Sequence, residues 1–141
     1  MTVLSLREAW TKIRLLLMLM GAYAGRFLGG FDAMLGALIT LMALDYLSGV
    51  ILAFCEKRLS SRTGFRGLCK KTLVLLIVGA AAALDQKVLL QGAVLRSAVI
   101  SFYIGNEALS LTENAASLGL PVPEKLKSAL EALHEKHERQ N

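Results

Sequence analysis

Between Ala33 and Phe54 the chain reads AMLGALITLMALDYLSGVILAF, with a single ionisable residue, Asp45, close to its middle. At about 1.5 Å of rise per residue, this run is long enough as a helix to cross a hydrocarbon core roughly 30 Å thick. Before it, an apolar run from Ile13 to Phe31 follows Arg7, Lys12 and Arg14 and is interrupted by Arg26. After it comes a shorter run, Thr72 to Leu84, ended by Asp85, Gln86 and Lys87. A fourth begins near Val88 and fades after Leu111, with Arg96 and Glu107 inside it. The expected fold is all-α, a polytopic integral membrane protein with three to four transmembrane helices.

Composition agrees. The chain has 141 residues, 55% hydrophobic and only 19% charged, against about a quarter charged in soluble domains. The charges crowd at the N-terminus, between Glu56 and Lys71, and after Pro123. The stretches between them are too bare of charge to clothe a soluble core. After Pro121 and Pro123 the segment from Glu124 to Arg139 mixes both signs with Leu126, Leu130 and Leu133. That spacing predicts an amphipathic helix outside the membrane. The chain thus divides into a transmembrane part, residues 1–120, and a charged cytoplasmic tail, residues 121–141.

Lys57, Arg58, Arg62, Arg66, Lys70 and Lys71 lie between two apolar runs. Lys and Arg concentrate in cytoplasmic loops, so this basic loop belongs in the cytoplasm. The second span then runs inward and the third outward, and with four spans both termini are cytoplasmic. The net charge of +5 is explained by this loop, and no nucleic-acid-binding signature accompanies it. Cys55 and Cys69 flank the loop without metal-ligand spacing, as free thiols facing a reducing cytosol. A second reading of the start treats Ala22-Tyr23-Ala24 as a signal-peptidase site, which would leave three spans.

An ionisable side chain within a span costs roughly 3 kcal/mol at its centre, so it has a partner or meets water. Around Asp45 on a helical wheel lie Leu41, Ser48, Gly49 and Leu52, two of them small enough for close helix approach. In the fourth run Arg96, Tyr103, Asn106, Glu107, Ser110, Glu113, Asn114 and Ser117 fall within about a third of the wheel. Such a stripe lines a water-filled lumen between subunits or a polar seam within one, and the pattern leaves both open. No catalytic constellation, cofactor motif or metal set is present. His134 and His137 belong to the solvated terminal segment, and enzymatic activity is not expected.

Several strings resemble the holins of phage lysis and toxin secretion known from phages and clostridia. They include Gly29-Gly30-Phe31-Asp32, Leu44-Asp45-Tyr46-Leu47-Ser48-Gly49, and Leu59-Ser60-Ser61-Arg62-Thr63-Gly64-Phe65-Arg66-Gly67 with Lys70-Lys71. Leu95-Arg96-Ser97-Ala98-Val99-Ile100, Asn106-Glu107-Ala108-Leu109-Ser110, Glu113-Asn114 and Gly119-Leu120-Pro121-Val122-Pro123 follow in order. Phe31 stands where the family often has Trp. The resemblance implies a homo-oligomer in the cytoplasmic membrane whose holes pass an endolysin or a large toxin. An antiholin that joins the oligomer and delays opening is the alternative, followed by a small ion or solute transporter.

Overall fold

The computed structural model describes residues 3–90, 92–126, 128 and 132. Among them are four long helices, α1 (Val3–Phe27), α2 (Ala33–Cys55), α3 (Ser61–Leu84) and α4 (Val94–Ser117), and no strand. A five-residue π turn, Asp85–Leu89, extends α3. Ala33–Cys55 and Ser61–Leu89 are each long and apolar enough to cross a membrane. The terminal helix expected after Pro123 falls outside the described residues, apart from Glu124, Lys125, Leu126, Ser128 and Ala132.

Local chemistry sets the helix ends. Asp32 is extended and its carboxylate accepts from the Leu35 N–H at 2.9 Å, capping α2. At the far end Lys57 adopts a left-handed backbone (φ 55), and the Arg58 N–H returns to the Ala53 carbonyl at 3.0 Å. That six-to-one bond closes the last turn. The third element departs from its expected bounds. The run was expected to begin at Thr72, with Arg62, Arg66, Lys70 and Lys71 in a loop, but helix already starts at Ser61. No proline or acidic residue interrupts residues 61–71, so the basic segment continues the helix as its first three turns.

The N-terminal ends of α2 and α4 lie together, since Asp32 meets Arg96. Further along, Ser48 meets Asn114, so the two helices run parallel. α3 packs antiparallel to both, its early Lys71 opposite Asp45 and Glu107. Leu35, Leu38, Met42, Val74, Val78 and Ile100 form the core of this three-helix unit. Among the described helices α1 joins only α3, where the Phe27 ring lies over Gly79, and from Trp10 to Tyr23 its large apolar side chains are exposed. Exposed leucines cost nothing against acyl chains, but apolar burial then yields little drive for association. Close packing and polar contacts must therefore specify how the helices sit.

One glycine is required by both backbone and space. Gly29 has φ +81, and an added Cβ would lie 2.9 Å from the Arg96 side chain and 3.0 Å from the Ala82 Cβ. Gly29→Ala is expected to cost at least 1–2 kcal/mol, roughly the left-handed penalty alone. A thermal midpoint in detergent unchanged from wild type would contradict this.

Candidate functional site

Two polar clusters interrupt the apolar bundle. The first surrounds Arg96, which is 3% exposed. Its Nε donates to the Leu28 carbonyl at 2.6 Å, and its two terminal nitrogens donate to Asp32 Oδ2 at 2.6 Å and the Gly30 carbonyl at 2.9 Å. The guanidinium fork thus ties the α1–α2 turn to the start of α4. Asp85, equally buried, accepts from the backbone N–H groups of Leu95 at 3.0 Å and Arg96 at 2.7 Å. Ala93, the residue preceding α4, offers no side-chain cap, so Asp85 satisfies those donors from the end of α3.

The Arg96 guanidinium, then the Leu35 N–H, hold the Asp32 carboxyl below its ordinary value of 3.8. A depressed carboxyl stabilises the fold above its unfolded value and ceases to do so as pH falls through its folded value. The stability difference between wild type and Asp32→Asn is expected to be constant above pH 3.8 and to shrink below it. Thermal midpoints across pH 2–6 check this. A difference that grows on acidification would reverse the sign.

The second cluster sits at mid-bundle. Asp45 lies about 18 Å along α2 from Ala33, at 1.5 Å per residue. Lys71 Nζ donates to Asp45 Oδ2 at 2.8 Å and also to Glu107 Oε2. All three side chains are at most 15% exposed. Asn114 Nδ2 donates to Asp45 Oδ1 at 3.1 Å and to the Ser48 hydroxyl at 2.9 Å, while that hydroxyl donates to the Asp45 carbonyl. One ammonium therefore joins α2, α3 and α4, and the two oxygens of Asp45 serve different helices. α4 comes close where Gly49 leaves space, for a Cβ there would be 3.7 Å from Asn114 Nδ2. The triad forms part of the wall of a cleft of about 510 Å³ that runs between the helices to Leu59, Ser60 and Thr63, with Tyr103, Asn106 and Ser110 also on its α4 side.

The fourth-run stripe is thus divided. Arg96 serves the upper cluster. Glu107 and Asn114 serve the triad, Tyr103, Asn106 and Ser110 face the cleft, and Glu113 is exposed. Asp45, Ser48 and Gly49 meet this helix. Lys71, grouped by sequence with the basic loop residues, instead turns inward as the partner of both carboxylates. Lys57, Arg58, Arg62, Arg66 and Lys70 remain exposed, with Arg58 paired to Glu56. The sequence places Lys71 in the basic loop and shows neither its pairing with the two carboxylates nor the capping role of Asp85. A cation at the very edge of an apolar run, with unpartnered acids inside two others, is the signal that points to Lys71.

Similarity to known proteins places the chain in a family. No solved structure matches the chain. A 14.9 kDa protein of the nagH 3′ region of Clostridium perfringens is 43% identical over 108 residues, covering 77% of this chain and 82% of that protein. YtkC of Bacillus subtilis is 35% identical over 116 residues, covering 82% and 86%. A probable holin of Bacillus phage phi105 is 40% identical over 100 residues, covering 71% and 73%. The model of the bacteriophage holin family matches residues 22–135. Over that length, and with apolar helices suited to a bilayer, the chain belongs to the bacteriophage holin family, a family of non-enzymatic membrane proteins.

Proposed function

We propose that the chain is a hole-forming holin, which assembles with copies of itself in the cytoplasmic membrane and releases an endolysin or a large toxin. The observation that carries this reading is the polar triad with its cleft, set at mid-depth in helices whose outer faces are apolar. In the resting chain Lys71, Asp45 and Glu107 satisfy one another, so the stripe acts as a seam within the subunit. Opening exchanges that seam for water at Tyr103, Ser110 and Asn114, which line or border the cleft. All four helices span, α2 and α4 inward, and residues 121–141 lie in the cytoplasm with the N-terminus.

Expression in a bacterium with and without a co-expressed endolysin tests the function. Loss of membrane potential from the chain alone, and lysis only with the endolysin, are expected. Protection against a second holin without depolarisation would make the chain an antiholin. Topology is tested separately. Cys55 and Cys69 are exposed free thiols, and in intact cells they are expected to resist an impermeant thiol reagent added outside. Labelling of both would invert the orientation.

Single cysteines at positions 103, 110 and 114, with Cys55 and Cys69 replaced, are expected to react with a small polar reagent only after triggering. Val99 and Ile104 pack against the core as Tyr103 does but do not line the cleft, and are expected to stay protected. Equal labelling of both sets would remove α4 from the wall of the hole.

A further inference from the structure

Along one face of α3 the chemistry changes from cationic to apolar. With about 100° per residue, Arg62, Arg66 and Lys70 fall within roughly 80° of the wheel, and Leu73, Leu76, Ile77 and Leu84 lie on or beside the same line. All seven side chains are exposed. α3 contains no acidic residue, and among the described residues none of the three cations forms an ion pair. Lys57, in the preceding linker, adds a further exposed cation. Lys71, next in sequence to Lys70, is turned away from this face and consumed by the triad.

We propose that this face of α3 binds an anionic phospholipid, its phosphate held by Arg62, Arg66 and Lys70 and its acyl chain lying along Leu73, Leu76 and Ile77. The order of the two chemistries selects the partner. A nucleic acid or a free phosphate has no use for the apolar row that continues the basic one, whereas a phospholipid presents a charged head and an apolar tail in that order. Arginine pairs in the first turns can clasp a phosphate through two parallel N–H donors, and Lys70 adds a point charge one turn deeper. The inference rests on the membrane orientation proposed above, which puts the start of α3 at headgroup level.

Cys69 lies on the same face, about 20° from Arg62 on the wheel, and is exposed. The full chain carrying Cys55→Ser is labelled there with a small fluorophore and reconstituted in vesicles of phosphatidylcholine and phosphatidylglycerol. Quenching by brominated phosphatidylglycerol is compared with quenching by brominated phosphatidylcholine. Preference for the anionic lipid is expected, weakened by salt and falling up to about fivefold for each charge removed. In R62Q/R66Q/K70Q the two lipids are expected to quench alike, and in R62K/R66K the preference is expected to persist in part. Should the triple variant fail to reconstitute, R66Q alone reads the same preference.

Equal quenching by both lipids in the wild type, or a preference untouched by R66Q and by the triple variant, overturns the lipid site and leaves the holin reading standing. Inorganic phosphate that displaces the anionic lipid better than sodium chloride at equal ionic strength also overturns it, in favour of a free anion. Quenching by neither lipid overturns both, because α3 would then lie outside the bilayer.

Discussion

Lys71→Met is expected to destabilise the folded chain by about 3–5 kcal/mol, because it leaves Asp45 and Glu107 without their shared cation. The magnitude follows from where the charges sit. All three side chains are at most 15% exposed, so water does not replace the ammonium. An exposed pair such as Arg58 with Glu56 would cost less than about 1 kcal/mol on the same change. Removing all three charges together, as Lys71→Met with Asp45→Asn and Glu107→Gln, is expected to recover most of the loss, since no unmatched carboxylate remains. Unfolding midpoints of the single and triple variants in one detergent decide the matter. A Lys71→Met protein as stable as wild type would mean that the triad does not hold the helices.

A second single variant, set beside the neutral triple one, separates structure from function. Asp45→Leu alone is expected to insert and yet shift the time of lysis, for it takes one acceptor from Asn114 and one from Lys71, leaving them Ser48 and Glu107. If the neutral triple variant folds and keeps wild-type lysis timing, the triad is packing only, and the polar wall of Tyr103, Asn106 and Ser110 becomes the better candidate for the hole.

Arg96→Leu is expected to cost about 1–3 kcal/mol. The buried Leu28 carbonyl loses its donor, and water takes over at the exposed Gly30 carbonyl and the half-exposed Asp32 carboxylate. Arg96→Lys is expected to recover only part of this. One compact ammonium cannot present the planar fork that reaches three acceptors on the α1–α2 turn. Asp85 still caps α4 in both variants through backbone groups, so α4 itself should persist while the turn loosens. Helicity by circular dichroism, set beside the unfolding midpoint, distinguishes the two. Loss of helix and midpoint together in Arg96→Leu would mean that the clamp also nucleates α4.

The membrane character of the chain and its all-α class were legible because both are properties of runs. The stretch from Ala33 to Phe54 has one charge in a segment long enough to span a bilayer, and no partner elsewhere in the chain alters that. The face joining Asp45 to Ser48 and Gly49 was legible for a similar reason, since helical periodicity is local. The first turns of α3 were not. A cluster of Arg and Lys marks a cytoplasmic segment equally well whether it is coiled or helical, and only the continuous backbone bonds from Ser61 make it helix.

Side-chain pairing was decided by tertiary structure alone. Lys71 lies 26 residues from Asp45 and 36 from Glu107, and Arg96 lies 64 from Asp32. No local pattern selects among the cations available at such separations, because an isolated sequence ranks Lys70 and Lys71 alike. Their difference is about 100° of helix rotation. That rotation is fixed by Val74 and Val78, which seat α3 in the core and turn Lys71 toward two carboxylates and Lys70 toward the outside.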